Sequence, residues 1–193
     1  MLAPVRTAAP ETTPVDLDAV KKHCRVDFAD DDNLLAALIA AATDHLDGYA
    51  GILGRALITQ TWQQDFAGFD DVMRLPLAPC QSISAVSYYD GDNAEQTLNS
   101  SIYALRADAL GPYMTLAPDQ SWPGTYNRED AVSITYVAGY GAAAAVPQAI
   151  KQAILLMIAH WYENRETTLV GASVADLPMG AAWLLAPYRR VGL

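Results

Sequence analysis

The spacing of apolar residues changes twice along this chain, and each change dictates a different kind of element. Leu35, Leu38, Ile39, Ala42, Leu46 and Tyr49 recur at helical spacing. From Leu57 the period drops to two. Ile58, Trp62 and Phe66 share one strand face with Gln60 and Gln64, while Leu57, Thr59 and Thr61 line the other. A second extended run covers Ser82–Tyr89, the turn signal Asp90-Gly91 leads toward Glu95–Leu98, and Val132, Ile134 and Tyr136 alternate once more. Helical spacing then returns after Pro147, with Ile150, Ala153, Ile154, Met157 and Trp161 on one face. Leu155, Ile158 and Tyr162 make the opposite side of that helix apolar too, as in a helix shared between a core and a partner. The expected fold class is therefore α+β: a helical domain with an inserted antiparallel β-sheet and C-terminal helices.

Local signals place the boundaries. Asp16 is suited to cap a short helix ending at Cys24, and Asp30–Asp32 to cap the next, which Gly51 would close. Met1–Pro14, rich in Pro, Thr and Ala, is expected to be a flexible arm. Irregular chain is expected around Trp122-Pro123-Gly124, and a loop with Gly171 before a last short helix opened by Asp176 and Pro178.

Composition limits the function. With 52% hydrophobic and 18% charged residues the 193-residue chain can bury a core. Its net charge of −10, concentrated in the first fifty residues, disfavours tight binding to phosphate backbones. Two cysteines, Cys24 and Cys80, make no disulfide framework and suit a reducing cytoplasm. The start lacks a signal-peptide pattern, and the apolar run Ala153–Ala159 is far shorter than the roughly 20 residues a membrane crossing needs.

No catalytic, metal or cofactor site is expected. Gly139-Tyr140-Gly141 follows a strand, but Ala142–Val146 and Pro147 separate it from the helix, so it reads as a connection rather than a dinucleotide loop. Asp90-Gly91-Asp92-Asn93 with Glu95 has Ser101 where a calcium loop needs its twelfth-position ligand, and reads as a hairpin turn. His23, His45 and His160 are scattered outside zinc-type spacing, and Ser173 lacks a nucleophile-elbow frame.

The C-terminus is different. From Leu177 onward the only charged side chains are Arg189 and Arg190. Met179, Ala182, Trp183 and Ala186 share a helical face, with Leu184, Leu185 and Tyr188 on the others. Trp183, Leu184, Leu185, Tyr188, Arg189 and Arg190 are candidate partner contacts, aromatics and arginines being what interface anchors use. Closure of the chain's own core is the competing use of the same helix, and different faces can serve both.

Four blocks occur in order: Leu17–Asp27 (LDAVKKHCRVD); Gly54–Trp62 (GRALITQTW) with Leu75-Pro76 and the Ser82–Tyr89 strand; Trp122-Pro123 with Val137–Gly141 (VAGYG); and Val146–Glu166 (VPQAIKQAILLMIAHWYENRE) with Val170-Gly171 and Leu184–Arg189 (LLAPYR). Together they resemble the head–tail connector (adaptor) proteins of tailed phages and prophage-derived gene transfer agents. The resemblance implies a ring subunit, about twelve copies, below the portal protein, with the next connector (stopper) or a tail component on its far side and DNA passing through the opening. It further implies assembly in the host cytoplasm, residence in the particle neck, and no membrane partner. On this reading residues 15–176 form a single α+β connector domain, with its sheet region at about 55–137, and 177–193 a C-terminal docking segment. Another neck or tail-completion role, or a small hydrolase or ligand-binding domain, are the alternatives.

Overall fold

The computed structural model describes residues 2–164 and 179–190. The chain divides into two compact units. Among the described residues, one joins the chain up to Glu11 with Thr59–Tyr140, and the other joins Thr12–Ile58 with 141–164 and 179–190. The inserted sheet forms a compact unit of its own.

The second unit is helical. Asp16 caps α1 (Leu17–Cys24): its carboxylate accepts the Ala19 N–H at 2.7 Å, and Arg25, at φ 57°, ends the helix by donating its N–H to the Lys21 carbonyl. α2 (Asp32–Leu46) buries Leu35, Ile39, Ala42 and Leu46, the stripe its spacing demands. Tyr49 does not extend that stripe; the chain turns extended at Asp47 and Tyr49 is exposed. Asp31 holds the cap position without a side-chain cap bond, because its carboxylate accepts the Tyr162 hydroxyl, while Asp32 pairs with Lys21. Neighbouring helices offer these carboxylates stronger partners than the helix end does.

α3 (Gln148–Glu163) buries Ile150, Ala153, Ile154, Met157 and Ile158 and packs against α1, α2 and a short helix α4 (Met179–Leu185). Pro147 stands at the cap rather than at the first helical position. The expected loop with Gly171 and the expected opening at Asp176 and Pro178 lie outside the described residues.

The first unit is built of antiparallel strands. Its five-stranded sheet has the order β1 (Val5–Ala8), β2 (Gln60–Phe66), β8 (Val132–Ala138), β4 (Cys80–Tyr89), β5 (Glu95–Thr97). A three-stranded sheet has the order β3 (Met73–Arg74), β7 (Gly111–Leu116), β6 (Tyr103–Asp108). β8 alternates strictly, burying Val132, Ile134, Tyr136 and Ala138, and faces β2 with Trp62 opposite Tyr136. Gln60 and Gln64 are buried with Trp62, whose indole N–H donates to the Gln60 side-chain carbonyl at 3.1 Å. At the irregular stretch Trp122 stacks on Phe69, ring centres 4.6 Å apart, and Phe69 meets Tyr88 edge-on.

The expectation of a flexible arm over 1–14 gives way here. Val5–Ala8 adds to β2 as an edge strand, the Thr7 hydroxyl donating to the Thr61 carbonyl. Backbone pairing, which needs no apolar side chain, orders a segment with little to bury.

β3 and the β6–β7 hairpin are braced by Arg74, whose guanidinium donates two hydrogen bonds, 2.9 and 2.8 Å long, to the Asp108 carboxylate. This hydrogen-bonded pairing holds Asp108 at a pKa of about 2. Because the folded pKa lies below the unfolded value, the contribution is complete above the ordinary carboxylate range and is lost as pH falls toward 2. An NMR titration of the Asp108 carboxyl carbon should therefore show a midpoint near 2. In Arg74→Ala it should rise to the usual aspartate range, and an unchanged midpoint would contradict the pairing.

Candidate interaction surface

The C-terminal helix is fixed from both sides. Gly180 lies against α3, where an added Cβ would stand 3.7 Å from the Leu156 side chain. Beyond α4, a 3-10 turn (Ala186–Tyr188) carries the chain over the loop that follows α2. The Arg55 guanidinium donates to the Tyr188 carbonyl at 2.6 Å, and the Arg190 N–H donates to the Leu53 carbonyl at 3.0 Å. Gly54 lies beside this segment, and its φ of +58° is the left-handed conformation that glycine adopts without strain.

This anchoring sorts the candidate contacts by face. Leu185 is 1% exposed and faces inward with Ala181, one helical turn earlier. Leu184, Tyr188 and Arg190 are half-buried, while Trp183 and Arg189 are exposed. The outward stripe is Met179, Ala182, Trp183 and Ala186, at i, i+3, i+4 and i+7. Met179 is 78% exposed and Trp183 77%, high values for side chains of this size and polarity. Self-closure and an outward apolar face thus coexist on one short helix. Leu177, Pro178 and residues 191–193 lie outside the described residues. Sequence reasoning did not single out Met179 as a contact or Leu185 as core; the small pair Gly180-Ala181, one turn before Leu185, marks the side that approaches α3.

The chemistry-bearing residues are occupied with local structure. The Asp90 carboxylate accepts the N–H groups of Asp92 and Ala94, both at 3.0 Å, and the Gln96 amide at 2.8 Å. The Ala94 bond leads in holding its pKa down. These are the bonds of a closed turn. Gly139 and Gly141, with φ 127° and 123°, lead from β8 into a 3-10 turn before α3. The His160 ring lies 3.3 Å from the Asn164 amide nitrogen. Burial pushes the Cys80 thiol up to about 11, and burial followed by the Glu163 charge raises that of Cys24, so both stay neutral thiols at pH 7. Among the described residues no three of His, Cys, Asp and Glu stand together as a metal-binding group.

Comparison with known proteins bears out the resemblance read in the sequence. The model of the family described as phage gp6-like head-tail connector proteins matches residues 14–106. No curated protein matches the chain. Among solved structures, a chain of the virion of a native gene transfer agent particle has a TM-score of 0.78 and 23% identity, with 100% of this chain and 97% of that chain covered. A chain from the neck of the empty particle, computed with C6 symmetry, has a TM-score of 0.77, 24% identity and the same coverage. A third, from the neck of the native particle computed with C12 symmetry, has a TM-score of 0.72, 22% identity and again the same coverage.

Proposed function

We propose that this protein is a structural, non-catalytic head–tail connector (adaptor) subunit, located in the neck of a phage or phage-like particle. One observation carries the reading: a connector-family match over residues 14–106 coincides with a fold shared, end to end, with chains from gene transfer agent particles. The subunits form a ring below the portal, consistent with the C6 and C12 symmetry of the similar neck structures. The next connector or a tail component binds the far side, and DNA passes through the opening. A net charge of −10 suits a conduit along which DNA slides without sticking. No helix among the described residues is long and apolar enough to cross a membrane. The outward face of α4 is the surface offered to the portal, with Trp183 as its anchor and Arg189 able to reach partner carboxylates.

Electron microscopy of the chain mixed with portal-bearing heads tests this: rings capping the portal vertex are expected, and heads that remain bare would overturn it. Association should also respond to salt. Copies that each carry −10 repel in a closed ring, and Asp44 adds to this from the surface of α2. Asp47, just beyond α2, is by contrast buried and accepts the Leu57 N–H. Raising salt from about 0.05 to about 0.5 M shortens the screening length severalfold and should increase the mass seen by light scattering. A mass that falls with salt would contradict the repulsion.

A further inference from the structure

The five-stranded sheet ends in two open edges of complementary character. β4 pairs with β8 from Cys80 to Tyr88, but with β5 only from Ser87 to Tyr89. Among the described residues no strand covers the other side of residues 80–85, where Gln81, Ser82, Ser84 and Ala85 are exposed. At the opposite end β1 pairs only with β2, and all four of its residues are exposed. Natural sheet edges are usually guarded by charge or by lysine. Residues 80–85 carry no charged side chain, and the one charge on β1, Arg6, has its guanidinium 5.9 Å from the centre of its own Trp62 ring.

We propose that the open edge of β4 at residues 80–85 receives β1 of a second copy of this chain, so that the sheets of neighbouring subunits join into one. The inference rests on the ring reading above and says which surfaces meet. Strand sense supports it. Neighbours alternate along β1, β2, β8 and β4, so β1 runs opposite to β4. A copy that continues the sheet therefore brings its β1 antiparallel to the waiting edge, the arrangement every other pair in this sheet uses. Length supports it too. β1 is a four-residue strand flanked by Pro4 and Pro10, and the open stretch of β4 has room for it before β5 begins. An edge joined to a different edge is a head-to-tail contact, which closes into a ring when its rotation divides the circle. Both edges are bulged, β1 between Arg6 and Ala8 and β4 at two places. Bulges bend and twist a strand, and a sheet carried round a ring must bend at each junction.

The test uses the full chain with Cys24→Ser and Cys80→Ser, mixed with portal-bearing heads and oxidised. Thr7→Cys combined with Ser82→Cys, or with Ser84→Cys, should give a ladder of disulfide-linked multimers on a denaturing gel, while each single variant runs as monomer. Separately, Ser84→Lys should keep the melting temperature and raise the concentration needed for ring formation at least tenfold, whereas Ser84→Thr assembles normally. Rings that form without a ladder from either pair, and with Ser84→Lys assembling like wild type, would overturn the edge junction and leave the connector reading intact. Wild-type chain that forms no ring on portal-bearing heads would remove the connector reading, and the junction with it.

Discussion

Leu185→Ala should lower the unfolding free energy by about 2–3 kcal/mol, while Trp183→Ala, two residues away, should change it by less than about 0.5 kcal/mol. The difference follows from where α4 puts them. Leu185 is 1% exposed, and its removal leaves a void that a seven-residue helix can fill only in part by shifting. Trp183 is 77% exposed and loses little when truncated in the free chain. Attachment to portal-bearing heads should show the reverse order: Trp183→Ala weakens it more than tenfold, or about 1.4 kcal/mol, because a buried indole is a dominant anchor. Deleting Ala182–Leu193 then affects both properties, since it removes Leu185 along with the bonds of Tyr188 to Arg55 and of Arg190 to Leu53. Urea unfolding and pelleting with heads, measured on the same preparations, read the two effects separately. Equal attachment by wild type and Trp183→Ala would remove α4 from the interface.

Gly51→Ala should be about as damaging as Leu185→Ala. After α2 the chain folds back so tightly that a Cβ at Gly51 would collide with the Asp47 carbonyl oxygen and stand 2.5 Å from the Leu46 carbonyl group. These are backbone atoms and cannot swing aside as a long side chain would. The same turn holds the Ile52 N–H on the His45 carbonyl, and the buried Asp47 carboxylate on the Leu57 N–H at 2.7 Å. Relieving the clash disturbs both. Overpacking of this kind costs about 3 kcal/mol at its upper end. For a chain of this length that lowers the melting temperature by roughly 6–12 °C. A melting temperature within about 1 °C of wild type would mean the turn can open without cost.

The elements most legible in the sequence are those whose apolar residues alone specify them. α3 and β8 show unbroken periods, and both lie where the spacing puts them. α1 is legible because Asp16 and its first turn follow capping chemistry directly. The missed strands depend on partners far away in sequence. β1 has no buried side chain and exists by pairing with β2, more than fifty residues on. The β6–β7 hairpin turns at Asp108–Gly111 without an Asn-Gly or Asp-Gly pair, and β6 ends in exposed residues. On the candidate surface the stripe was legible but its direction was not. Helical spacing shows that Met179, Ala182, Trp183 and Ala186 lie together; the contact of α4 with α3 decides that they face outward.

The atoms that hold the end of the chain in place include two main-chain carbonyls and a main-chain N–H: Tyr188 offers its oxygen to Arg55, and Arg190 its N–H to the Leu53 oxygen. Those groups are the same whatever side chains stand at 188 and 190 (proline, which lacks the N–H, being barred from 190). Position is thereby separated from identity. The outward residues of α4 can be exchanged to suit a portal of different shape while the helix stays where it is, so a connector built this way can change partners by surface substitution alone, its mounting untouched.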